Sequence, residues 1–185
     1  MKIEHQNLLL QIARDAISRG LAGENGPFLE DVPDELMEER ATFVTLQIGG
    51  RLRGCIGMLE ACRPLAEDVV HNARAAAFKD PRFPPVSYKE VDSLEIHISV
   101  LSPPEEIVFS SEADLLSQIR SGIDGLILQE GYQRGTFLPS VWEELPEKEP
   151  FLAHLKMKAG LPETYWSDTL RVFRYTTEYF GDELL

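Results

Sequence analysis

A pair of glycines, Gly49-Gly50, separates two runs rich in β-branched and apolar residues, "ATFVTLQI" (Ala41 to Ile48) and "RLRGCIGM" (Arg51 to Met58). Glycine reaches positive φ without steric cost, and the tight two-residue turns of β-hairpins favour it. Residues 41–58 therefore read as an antiparallel hairpin, which commits the chain to antiparallel sheet. Strand side chains alternate between faces. On the second arm, Leu52, Gly54 and Ile56 are expected on one face and Arg51, Arg53, Cys55 and Gly57 on the other. That arm carries Cys55, one of only two cysteines in the chain. The thiol sits two residues after an arginine and between two glycines, so either chemistry or close backbone packing is at work there.

The remaining pattern mixes helices with hairpins. Leu8, Leu9, Ile12, Ala13, Ala16 and Ile17 recur at helical spacing and predict an amphipathic helix over 4–20. Gly23 to Pro33 is turn-rich, and Pro33 followed by Asp34, Glu35 and Glu38 suits a short helix. A second helix begins near Pro64. Its stripe is Leu65, Val69, Asn72 and Ala76, and its several alanines allow close approach to a sheet. "DPRFPP" (Asp80 to Pro85) is a stiff loop, and Ser87 to Glu90 fits a capping box. In "LEIHISVL" (Leu94 to Leu101), Leu94, Ile96, Ile98 and Val100 face one way while Glu95, His97 and Ser99 face the other. Ser111 to Arg120 reads as a capped helix. Residues 124–130 and 136–138 flank a second hairpin around "GYQRG". Phe151 to Ala159 is helical, with Gly160 at its end. "LRVFRYTTEYF" (Leu170 to Phe180) reads as one closing strand. With no steady βαβ alternation, the expected class is α+β with mainly antiparallel sheets and flanking helices. The 185 residues suit one domain, or two small interlocked lobes.

Eighteen basic residues against 31 acidic ones give a net charge of −13, which argues against nucleic acid as a partner. No apolar run approaches the roughly 20 residues of a membrane helix. Met1 to Asn7 lacks the basic-then-apolar pattern of a secretion signal, so the expectation is a cytoplasmic protein. Two cysteines, Cys55 and Cys62, are too few for a disulfide framework or a structural zinc site. His5, His71, His97 and His154 are scattered without metal-ligand spacing, and no phosphate loop or dinucleotide fingerprint is present.

"LRGCIG", "NARAAAFKDPRFPPVSYKEVDSLEIHISVLSPPEEI" and "GLILQEGYQRGTFLPSVWEELP" follow one another in this order. Together they resemble the AMMECR domain, named for the AMME syndrome chromosomal region. The resemblance runs from about Ala13 to Phe180, so residues 1–185 read as a single such domain. "LRGCIG" is the family's signature, with "DPRFPP" and "TFLP" at fitting distances. The resemblance implies an α+β fold of two intertwined lobes. It also implies company: prokaryotic relatives, the A-type proteins of the AmmeMemoRadiSam system, occur beside a Memo-like protein and a radical S-adenosylmethionine enzyme. It assigns no reaction and no cofactor.

Cys55 is the foremost candidate residue. A thiolate is the reactive form of cysteine, and nearby cations favour it. Cys55 is a nucleophile or ligand-contacting thiol, or else a small hydrophobe in a tight hairpin. Cys62 lacks that setting. Arg53 and Arg82 present donor forks suited to a carboxylate or phosphate, with Gly54 giving a substrate room to approach. The competing reading pairs Arg82 with Asp80 and Arg53 with a cross-strand acid. Glu95 and His97 would supply a general base and a proton shuttle if their face meets that of Cys55. Otherwise they line a solvated sheet face. Two functions follow: an enzyme or enzyme component acting on a small anionic substrate, or a non-catalytic module that docks onto a Memo-like or radical S-adenosylmethionine partner.

Overall fold

A computed structural model describes residues 1–24, 29 and 31–182. Its helices are α1 (Ile3–Leu21), α2 (Leu65–Phe78), α3 (Glu112–Gln118) and α4 (Lys148–Lys158). Its strands are β1 (Thr42–Ile48), β2 (Arg51–Gly57), β3 (Glu95–Leu101), β4 (Glu105–Ile107), β5 (Gly125–Glu130), β6 (Gln133–Phe137), β7 (Arg171–Tyr175) and β8 (Thr177–Gly181). They form two four-stranded sheets, ordered β2-β1-β3-β8 and β4-β7-β5-β6. The chain divides into two compact units: Met1–Leu101 with the segment from Glu178 onward, and Ser102–Thr177. The class is α+β with antiparallel sheets, as the residue patterns imply. Of the turn-rich Gly23 to Pro33 connection, residues 25–28 and 30 lie outside the described residues. The short helix after Pro33 is a single 3-10 turn, Asp34–Leu36.

In the first unit, Leu9, Ala13 and Ile17 of α1 and Val69, Ala73 and Ala76 of α2 pack against Val44, Leu46, Ile96 and Ile98 of the sheet. Burial of this apolar surface is the main force holding the unit together. Small residues set the spacing between α2 and the hairpin. A Cβ built on Gly54 would lie 2.2 Å from the Ala76 carbonyl oxygen, so only glycine lets α2 lie this close to β2. Gly57 makes room for a ring as well as backbone, since a Cβ there would lie 2.3 Å from the Phe43 ring and 2.4 Å from the Thr42 carbonyl oxygen.

The hairpin turns at Gly49-Gly50, both with positive φ, as the tight turn requires. Its register carries a bulge. Leu46 pairs with Gly54, but Gln47 pairs with Leu52, leaving Arg53 as the extra residue. One added residue reverses the alternation beyond it. Leu52 therefore leaves the face expected to hold it beside Gly54 and Ile56, and is 43% exposed.

In the second unit, Phe151, Leu152 and Leu155 of α4 pack with Leu126, Leu128 and Val172 of the sheet. The Trp142 and Phe151 rings stack with centroids 3.6 Å apart. The second hairpin turns at Gly131-Tyr132, so β6 begins at Gln133 instead of Thr136. Helix α4 starts at Lys148, three residues before the expected Phe151, because Pro150 is tolerated in a first turn. Helix α3 is shorter than expected, ending at Gln118. The expected closing strand is two strands, β7 in one sheet and β8 in the other. Between them Thr176 donates its N–H to Ser102 Oγ at 2.9 Å and accepts from Ser102 N at 2.8 Å.

Candidate functional site

Three polar side chains form a row across the first sheet. Thr45 in β1 lies opposite Cys55 in β2 on one side and His97 in β3 on the other. Val44 and Leu46 point into the core, so Thr45, Cys55 and His97 share the face turned away from it. Thr45 Oγ1 donates to Cys55 Sγ at 3.2 Å. Cys55 is half-buried. His97 is only 4% exposed. Its ring lies over Gly181, where a Cβ would come within 2.2 Å of Nδ1, and stacks on Tyr179 with centroids 5.6 Å apart. Neither imidazole nitrogen has a hydrogen-bond partner among the described residues. The face of Glu95 and His97 is thus the face of Cys55, with Thr45 between the imidazole and the thiol.

Glu95 plays a structural part at the end of the same face. Its carboxylate accepts from Gly49 N at 3.0 Å and Gly50 N at 3.2 Å, capping the hairpin turn. Gly54 looks the other way, toward α2, and offers no surface on the Cys55 face.

The free edge of β2 is lined by the loop that follows α2. Asp80 Oδ2 accepts from Cys55 N at 2.9 Å, and Arg82 Nη2 donates to Cys55 O at 3.3 Å. Asp80 also accepts from Arg82 through its backbone N (3.1 Å), Nε (3.0 Å) and Nη2 (2.7 Å). The Arg82 guanidinium, helped by the Cys55 and Arg82 amides, holds the Asp80 carboxyl well below the usual carboxylate range. The same carboxylate raises Arg82 above its ordinary value. The Arg82 side chain remains 55% exposed.

Arg53 is held by Glu90, through Nε at 2.8 Å and Nη2 at 3.3 Å. Glu90 accepts in addition from Ser87 N and Ser87 Oγ, both at 2.8 Å. Arg53 first, then Ser87, lower the Glu90 carboxyl to about 2. Arg53 Nη1 is buried without a partner among the described residues. The Phe83 ring draws both cations: Arg53 Cζ stands 5.9 Å and Arg82 Cζ 5.6 Å from its centroid.

The structure therefore gathers Cys55, Arg53 and Arg82 at one strand edge and joins Cys55 to His97 along one sheet face. Residue patterns did not single out Thr45, Phe83 or Glu90 for this site. Glu90 was legible as a capping residue, and Asp80 as a partner for Arg82, but neither as a neighbour of β2. Cys62 is exposed. Among the described residues, no group of three or more His, Cys, Asp or Glu side chains is placed to hold a metal ion, and no helix is long and apolar enough to cross a membrane.

A family model described as AMMECR1 matches residues 10–180. A protein of Methanothermobacter thermautotrophicus is 43% identical over 178 residues, covering 95% of this chain and 93% of the relative. Protein MJ0810 of Methanocaldococcus jannaschii is 39% identical, with 98% and 92% covered. The crystal structure of PH0010 from Pyrococcus horikoshii, described as an uncharacterized protein, superposes with a TM-score of 0.88 at 38% identity. That match covers 100% of this chain and 94% of the other.

Proposed function

The chain belongs to the AMMECR1 family, and we propose that its Cys55 face is a thiol-centred site for a small anionic substrate, in an enzyme or enzyme component. The observation that carries the reading is the Cys55 thiol itself, half-buried beside a hydroxyl donor and on one face with a buried imidazole that has no partner of its own among the described residues. Cys55 is the nucleophile or ligand-contacting thiol. Arg82, half exposed and bonded to the Cys55 carbonyl, offers its outer edge to an anion, and Arg53 adds positive charge behind Phe83. His97 moves a proton; Glu95 supports the turn that sets the strand register. The proposal places the protein in the cytoplasm, where both thiols stay reduced.

The test is alkylation of Cys55 in folded protein carrying Cys62→Ser, read by mass spectrometry between pH 5 and 9, with and without millimolar phosphate. The reading expects Cys55 to react in the folded state and phosphate to slow it. A thiol that reacts only on unfolding removes the site.

A second reading has its own support. Both guanidiniums already hold carboxylates, and Leu52, Met58 and Tyr88 expose 43%, 40% and 68% of their surface on β2 and the loops beside it. On this reading the hairpin docks onto a Memo-like or radical S-adenosylmethionine partner without catalysing anything. Association with the partner at micromolar concentration, lost on Leu52→Asp and kept by Cys55→Ser, is its expected signature. No association under those conditions ends it.

A further inference from the structure

We propose that Thr45 is the positioning residue of the Cys55 thiol, holding the sulfur by its hydroxyl and stabilising the negative charge that develops when the thiol loses its proton. This rests on the reading of Cys55 as a reactive or ligand-contacting thiol. It adds a residue that "LRGCIG" does not contain.

The arrangement starts with Thr45 in a central strand, held on both sides by β2 and β3. A β-branched side chain there has few χ1 choices, so its oxygen is fixed in direction. That oxygen donates to Cys55 Sγ at 3.2 Å. Asp80 and Arg82 pin the backbone N–H and C=O of Cys55, which fixes the point from which the sulfur reaches Thr45. A hydrogen bond to an anionic acceptor is stronger than one to a neutral acceptor.

The second observation is independent of the thiol. On the opposite side of Thr45, His97 is buried with both ring nitrogens unpartnered among the described residues. Buried polar atoms are almost always hydrogen-bonded, so two unpartnered ring nitrogens mark His97 as unusual. Thr45 therefore stands between a thiol and an imidazole in want of a partner. The charged and titratable groups around the sulfur are Arg53 on its own strand, Asp80 and Arg82 on the adjoining loop, and His97 beyond Thr45. Substitution at position 45 alters the charge of none of them.

The experiment compares iodoacetamide alkylation of Cys55 in the full chain carrying Cys62→Ser, with Thr45→Val, Thr45→Ala and Thr45→Ser, at pH 7 and pH 9.5. Circular dichroism and urea unfolding identify which variants are folded. The proposal expects Thr45→Val, or Thr45→Ala should the valine variant not fold, to react about fourfold more slowly at pH 7. The deficit should disappear near pH 9.5, where a thiol ionises without help, and Thr45→Ser should stay within about twofold of the parent rate. An apolar variant within about twofold of the parent at pH 7 overturns the proposal and leaves the thiol site standing. A deficit equal at both pH values overturns it as well, since lost access, not lost stabilisation, produces that pattern. A parent protein whose Cys55 reacts only when unfolded overturns the thiol site, and Thr45's role with it.

Discussion

Asp80 accepts the Cys55 amide N–H at 2.9 Å, and through the same carboxylate it holds the arginine that donates to the Cys55 carbonyl at 3.3 Å. An edge strand ordinarily presents such groups to whatever strand comes along. Here two side chains, two residues apart in a proline-bounded loop, take the place of the missing strand at the one residue of β2 whose side chain is a thiol.

That arrangement makes the first unit sensitive to acid. Asp80 and Glu90 are both depressed from ordinary values of 3.8 and 4.5, the first strongly and the second to about 2. A carboxyl depressed by folding contributes stability that is fully present above its unfolded value and is lost as pH falls toward its folded value. Stability against urea should therefore hold from pH 7 to about 5 and decline between about 4.5 and 2. Asp80→Asn should cost about 2 kcal/mol at pH 7. The gap between it and the parent should narrow as pH falls through that window, without closing at its lower end. A gap that stays constant from pH 7 to 3 would show that the charge on Asp80 is not what stabilises the loop.

The glycines of the hairpin differ in kind, and alanine substitution separates them. At Gly54 the new Cβ meets helix backbone at 2.2 Å, so α2 itself must move; a loss of about 3 kcal/mol is expected. At Gly49 the φ is +57° and nothing lies within 4 Å, so the loss is conformational only, about 1 kcal/mol. Urea midpoints in the reverse order would contradict the close approach of α2 to β2.

Lys156 is buried to 1% exposure, with its ammonium 2.8 Å from Glu112 and above the Trp166 ring, whereas Glu112 is 43% exposed. The two halves of this pair should respond unequally. Removing the carboxylate by Glu112→Ala strands a buried cation and should cost about 3 kcal/mol. Lys156→Met leaves only a solvated acid behind and should cost less than about 1 kcal/mol. Equal losses in thermal unfolding would mean that Glu112 is not the ammonium's main partner.

His97 offers a test of its unpartnered state. His97→Phe keeps a ring over Gly181 and beside Tyr179 while deleting two buried nitrogens. Replacing unsatisfied polar atoms with apolar ones is near neutral or stabilising, so unfolding stability should stay within about 1 kcal/mol of the parent. A loss above about 3 kcal/mol would show that the imidazole is bound to something in the folded protein.

Local chemistry made most of the elements legible. The double glycine placed the hairpin, the 3.6-residue stripes placed α1 and α2, and period-two alternation placed β3 and put Glu95 and His97 on one face. What stayed hidden was anything that depends on counting across strands. From a turn at Gly49-Gly50, an unbroken ladder sets Thr45 opposite Gly54. The bulge at Arg53 shifts the partner to Cys55, and no residue in the hairpin announces that extra position. Glu90 was visible as the partner of Ser87 but not of Arg53, since 37 residues separate them. "LRVFRYTTEYF" has unbroken strand propensity, so only the exchange of hydrogen bonds with Ser102 reveals that it serves two sheets.

That exchange has an evolutionary reading. Ser102 and Thr176 are bonded to one another at the two ends of the second unit, so everything between them leaves and returns at a single graft point. The first unit keeps its own four-stranded sheet, closed through β3 and β8, with no strand drawn from the inserted segment. Joining residue 101 to residue 178 through a short linker is the direct test of whether the segment that carries the thiol row is a folding unit in its own right.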